Sequence, residues 1–274
     1  LHLSLRRQRQ MCIRDSARIV TAIVAVLLIA GTVTLYLVIA HAHVVTDPDD
    51  MAGILSSYAG MGLLVCLVFA ILSGPIIRSL VRLIKTLPFA GTAGFLASRE
   101  ANARPQLTQA LVVPITLAAA AVGIMAAWIN ELTTVMAAQA GSQEKVTAPP
   151  RPMALLLGGP VIVACVCASA IVFATASHRR ADNALLLVSG ATPGAIRAKA
   201  VVEAGIHAGV CLVCAYGIVV VNDVSMAKAL STGPVPSVPI LAPGWQAAGV
   251  VAVGIALTLL LLLGVTAEGM HRNP

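Results

Sequence analysis

An all-α, polytopic membrane protein with six transmembrane helices is the fold class this sequence predicts, and three observations predict it. The 274 residues are 58% hydrophobic and only 11% charged, with a mean hydropathy of +0.93, far from the balance of a soluble domain. Six blocks reach the roughly 20 apolar residues that a helix needs to cross a hydrocarbon core. Lys and Arg are concentrated in alternate links between those blocks. Aromatics are only 3%, so the apolar mass is Ala, Val, Leu and Ile, the small and branched residues that let membrane helices pack closely. The formal net charge of +7 therefore reads as a membrane-orientation signal, and no nucleic-acid partner is expected.

In chain order, "LHLSLRRQRQMCIRDS", Leu1 to Ser16, has neither the apolar core nor the cleavage site of a signal peptide. Its "MCIRDS" run resembles a translated sequencing-adapter remnant. Residues 1–16 are expected to be a non-native tail or a short basic cytoplasmic tail, and the natural protein is expected to extend further N-terminally. The six spans are Ile19 to Ala40, Gly53 to Ile77, Gln109 to Ile129, Met153 to Ala176, Ala200 to Val221 and Trp245 to Ala267.

The link "HAHVVTDPDD" between spans one and two is acidic, with no Lys or Arg. The next carries Arg78, Arg82, Lys85, Arg99 and Arg104, and the link between spans four and five carries Arg179, Arg180, Arg197 and Lys199. Those two basic links are expected in the cytoplasm, with both termini. Asn130 to Pro152 and Asn222 to Gly244, poor in basic residues, fall outside.

In "IIRSLVRLIKTL", Arg78, Arg82 and Lys85 recur at i, i+4 and i+7 opposite Leu80, Leu83, Ile84 and Leu87. Such a helix is either a basic amphipathic connector in the membrane interface or a snorkelling extension of span two. Further on, Leu185 to Val188 carry the helix of span four past Arg179 and Arg180. There Gly190 suits a left-handed helix stop, Thr192 a cap, and Pro193 a first helical turn. The pattern predicts a helix, a tight turn and a second helix, a shaped docking knob with Arg179, Arg180, Arg197 and Lys199 around it.

Span five opens with Lys199, Glu203 and His207 on one helix face. A carboxylate in an apolar span is costly unless paired, so Glu203 is expected to bond Lys199 or Arg197. It is either a structural ion or a signal-transmitting group. His207 is a packing residue by the same reasoning, since no metal set surrounds it. Gly205 and Gly209 form a G-x-x-x-G step that would allow close helix contact.

"ALLLVSGATPGAIRAKAVVEAG", Ala184 to Gly205, resembles the signature of the FtsX-like permease family at Gly190, Ala191, Thr192, Pro193, Arg197, Glu203 and Ala204. "GPIIRSLVRLIKTLPFAGTAGFLASREANARPQLTQA", Gly74 to Ala110, resembles the join between the halves of long actinobacterial permeases of that family. The resemblance runs from about Gly74 to the C-terminus. It implies the transmembrane subunit of an ABC transporter of the MacB and FtsX type in a bacterial cytoplasmic membrane. Residues 17–77 would be two helices from a preceding half, 78–108 the cytoplasmic basic connector, and 109–274 a four-helix FtsX-like unit.

The same resemblance implies an ATPase-coupling element containing Arg179, Arg180, Asp182, Gly190 to Pro193, Arg197 and Lys199. It also implies an ABC ATPase subunit and a second permease half or subunit as partners. No cofactor would be bound directly, with ATP and Mg on the ATPase. Two departures stand out: Asn130 to Pro152 is too short for the extracytoplasmic domain common in the family, and "ARPQLTQ" lacks an Arg of the family's pattern.

Cys165 and Cys167 form C-x-C, and Cys211 and Cys214 form C-x-x-C, all within apolar blocks. There a thiol behaves as a small hydrophobe. An intramembrane enzyme such as a thiol oxidoreductase is the competing class, and a secondary transporter a third. A membrane-permeant thiol reagent separates the first two: Cys211 and Cys214 resist labelling if they are packing groups, whereas a redox pair reacts and cycles.

Overall fold

The structure is a computed structural model that describes residues 20–38, 48–85, 92–139, 150–231 and 244–271. The expectation for residues 1–16 lies outside the described residues. Seven helices carry the described chain: α1 (Val20–Val38), then α2 (Pro48–Lys85), α3 (Thr92–Ala103), α4 (Pro105–Gln139), α5 (Pro150–Val188), α6 (Pro193–Ser231) and α7 (Gly244–His271). Pro stands first in α2, α4, α5 and α6, where its fixed φ suits the helix and its missing N–H has no intrahelical acceptor to lose.

Five segments are long and apolar enough to cross a membrane: Val20–Val38, Gly60–Ile84, Pro105–Ile129, Val161–Val188 and Pro193–Val224. Within α7, Gly249–Leu261 is a shorter apolar stretch. The fold is that of an all-helical, multi-pass membrane protein.

α4 is the hub. It packs on α2, α5, α6 and α7, and buried residues occur on every side of it, from Leu111 and Val112 through Ala118, Ala119 and Ala120 to Ala126 and Ala127. A helix apolar all round belongs inside a bundle. α7 also lies between α5 and α6, touching both, whereas those two helices barely meet each other. α5 and α6 thus occupy opposite corners of a four-helix group, with α4 and α7 between them.

Side chains of α4 press closest on neighbouring helices at two glycines outside the G-x-x-x-G step. A Cβ on Gly62 of α2 would lie 3.0 Å from Ile124 of α4, and one on Gly254 of α7 would lie 3.1 Å from Ile115. Gly205 and Gly209 behave otherwise, with nothing within 4 Å of a Cβ at either. Among the described residues the expected close-packing step is therefore not used, because that face of α6 turns away from its neighbours.

The link 78–108 also resolves differently from a single interfacial connector. Arg78 to Lys85 are the last turns of the continuous helix α2, with Ile77 and Val81 buried and Arg78 and Arg82 exposed. α3 is a separate helix seated on α6 and α2. Gln109 Nε2 at the start of α4 donates to the buried Ser73 Oγ of α2 at 2.9 Å, a polar tie within an otherwise apolar seam.

These contacts set a pair of stability outcomes. Gly62→Val destabilises by about 1–3 kcal/mol through overpacking, while Gly205→Ala is stabilising by roughly 0.5–1 kcal/mol because it gains helix propensity without a clash. Thermal unfolding in detergent reads both.

Candidate functional site

The turn between α5 and α6 is a built structure rather than a loose link. Ala191 N–H donates to Leu186 O at 2.9 Å and Gly190 N–H to Leu187 O at 3.0 Å, the paired bonds of a Schellman helix stop. Gly190 holds φ +93°, a conformation that costs an L side chain energy and glycine almost nothing. Thr192 then caps α6: Ala195 N–H donates to its Oγ1 at 3.3 Å, and Pro193 fills the first helical position. Each local role read from "SGATP" is present.

The tip is open to its surroundings. Val188 is 88% and Leu185 69% exposed, and Gly190, Thr192, Pro193, Gly194 and Arg197 are exposed too, with Ala191 half-buried. An ordered turn carrying apolar side chains at its crest and a cation beside it can seat against a complementary protein surface.

Beneath the tip lies a cluster of ion pairs joining α3, α5 and α6. Arg179 of α5 donates through Nη1 to both carboxylate oxygens of Glu203 on α6, at 2.9 and 3.1 Å. The two side chains are only 17% and 6% exposed. Their register follows from the turn: Arg179 is ten residues before Ser189 and Glu203 ten after Pro193, so both lie about 15 Å from the tip at 1.5 Å per residue. Nearer the tip, Lys199 pairs with Glu100 of α3, and Arg104, in the join of α3 and α4, pairs with Asp182 of α5 at 2.9 Å.

The inner pair matters most energetically. Arg104 and Asp182 are 42% and 34% exposed, where solvent screening leaves an ion pair worth little. Arg179 and Glu203 lack that screening, and removing one partner would strand a buried charge. Thr108 Oγ1 of α4 donates to Ala101 O of α3 at 3.3 Å, fixing the corner from which Glu100 and Arg104 reach.

The expected partner of Glu203 needs correcting. It is neither Lys199 nor Arg197 but Arg179, because the carboxylate points across to α5 while Lys199 turns to α3 and Arg197 stays exposed. The expected cationic rim is thereby divided. Arg179 and Lys199 face inward, Arg180 is half-buried, and Arg197 is left on the outside. Glu100 and Arg104 were not recognised as members of the cluster; the charged run "SREANARP" ending in Pro105 was the available signal.

His207 lies one turn beyond Glu203 and is 2% exposed. It borders an enclosed space of about 20 Å³ shared with Glu100, Arg104, Thr108, Arg179 and Glu203, far below the few hundred Å³ of a small-molecule site. The cluster therefore holds helices together rather than a substrate. Among the described residues no group of His, Cys, Asp and Glu could hold a metal ion. Cys211 is fully buried, its thiol directed at Val112 O at 3.7 Å, and the five described cysteines are free thiols.

Comparison of the chain with protein-family models, with curated proteins and with solved structures finds no match.

The buried pair sets the next outcome. Arg179→Ala lowers stability by about 3–5 kcal/mol, and adding Glu203→Leu to an Arg179→Met change recovers most of it. Thermal unfolding of the three variants in detergent decides; an Arg179→Ala protein as stable as the parent would show that the pair contributes nothing.

Proposed function

We propose that the chain is a transmembrane permease subunit of the MacB and FtsX type of ABC transporter. It crosses a bacterial cytoplasmic membrane six times with both termini inside, and it is driven by a separate ATPase. The observation that carries this reading is the α5–α6 turn: exposed, internally hydrogen-bonded, and tied through ion pairs to α3 and to the bases of both helices. A force applied at Gly190 to Pro193 would move α5 and α6 as levers, because the stop and cap leave the turn no slack.

The opposite-corner arrangement supports the same reading. α5 and α6 meet mainly at their shared base and otherwise lean on α4 and α7, so a push at the base can change their spread without first breaking a long mutual seam. That is motion of the hinge or shear kind. The 274 residues contain no G-x-x-x-x-G-K-[ST] loop; in this reading nucleotide and Mg are held by the partner. The open Gly205 and Gly209 face of α6 is available to a second permease half. Either export of a substrate or a mechanical signal across the membrane would use the same lever.

Co-purification with an ABC ATPase subunit from the same cells tests the reading. Val188→Glu and Arg197→Glu alter exposed side chains and leave the membrane protein folded, yet each reduces ATPase association at least tenfold. Unchanged association in both variants, or no ATPase partner at all, overturns the proposal.

A further inference from the structure

Away from the ionic base, α1, α2 and α6 enclose a groove of about 720 Å³. Its walls are mainly apolar, from Ile29 and Val33 of α1, Val65, Phe69 and Ile76 of α2, and Val213 of α6, with Ser79 as a polar residue on the α2 side. Thr32 is the polar residue on the α1 wall, and its hydroxyl is already donated to Leu28 O at 2.8 Å. Gly217 forms part of the α6 side, with nothing within 4 Å of a Cβ placed there.

The groove follows α2 from Val65 to Leu80, about 22 Å of helix at 1.5 Å per residue. That exceeds the roughly 15 Å depth of one hydrocarbon leaflet. A cation stands at the end of this track. Val68, Pro75 and Arg82 recur at seven-residue spacing, so Arg82 continues one edge of the groove, and its side chain is exposed. Arg78 faces elsewhere: its Nε donates to Gly74 O at 3.0 Å, with its guanidinium near the seam with α4.

We propose that this groove binds one anionic phospholipid, with an acyl chain laid along α2 between α1 and α6 and its phosphate at Arg82. The apolar wall selects the chain, and the single groove-edge guanidinium selects the charge. Lipid in this position wedges α1 against the bundle and covers the face of α6 that α1 leaves open. The site is remote from the α5–α6 turn and does not depend on the function proposed for it.

Nanodiscs holding equal phosphatidylglycerol and phosphatidylcholine, followed by transfer to detergent and native mass spectrometry, count the lipids that stay bound. The parent retains one phosphatidylglycerol in preference to phosphatidylcholine. Arg82→Gln lowers that preference about fivefold, and Gly217→Trp, which fills the groove, abolishes retention of both lipids. Val221→Trp repeats the filling from a second position should Gly217→Trp fail to fold, and Val163→Trp on the exposed face of α5 leaves retention intact.

Equal retention of the two lipids by the parent, or a Gly217→Trp protein that keeps its lipid, overturns the proposal. So does efficient disulfide dimerisation of a Gly217→Cys protein in the membrane, which would make a helix of a second copy the occupant.

Discussion

A carboxylate placed in an apolar span must be neutralised where it stands, and the base of this bundle is organised around that requirement at Glu203. Glu203 is buried within the bundle, so a partner has to come from protein. Arg179 supplies it from the preceding helix at 2.9 Å. The pairing works only if α5 and α6 leave the turn in a fixed register. The Schellman stop at Gly190 and the Thr192 cap set that register. Local backbone chemistry and a buried ion pair about 15 Å away are thus two ends of one constraint.

The same pair explains why the base holds while the helices above it separate. α5 and α6 touch little elsewhere, each leaning instead on α4 and α7. α4 can serve both because its surface is largely Ala with a few branched residues, buried on every side. Glycines are used where a neighbouring side chain must seat against the backbone, at Gly62 and Gly254 beneath the side chains of Ile124 and Ile115. In a bilayer, where lipid is as apolar as the helices, such close dispersion contact replaces the hydrophobic drive available in water.

α3 is the element that converts a helical hairpin into a braced one. Its Glu100 takes Lys199 from α6, and the Arg104 that follows it takes Asp182 from α5. A short helix thereby spans both legs of the turn from the side. The exposed surface left over is correspondingly specific: an apolar crest at Leu185 and Val188 with Arg197 nearby, and, on another face, the mainly apolar groove beside α2.

Much was determined by the sequence alone. Five of the six hydropathy blocks coincide, among the described residues, with helices long and apolar enough to cross a membrane, and the sixth with the shorter apolar stretch Gly249–Leu261, since a span requires a long run of apolar residues. "SGATP" gave the turn, because a left-handed stop, a hydroxyl cap and a first-turn Pro are properties of single residues and their immediate neighbours. Sequence also identified Glu203 as an ion in need of a partner. Which partner it takes was decided by tertiary structure. Lys199 is four residues away along the helix, but direction of projection outweighs sequence distance, and Glu203 faces α5 while Lys199 faces α3. The same reason separates Gly62 and Gly254, pressed against α4, from Gly205 and Gly209, which meet nothing: a glycine's spacing shows that a close approach is possible, and only the placement of a second helix makes it happen.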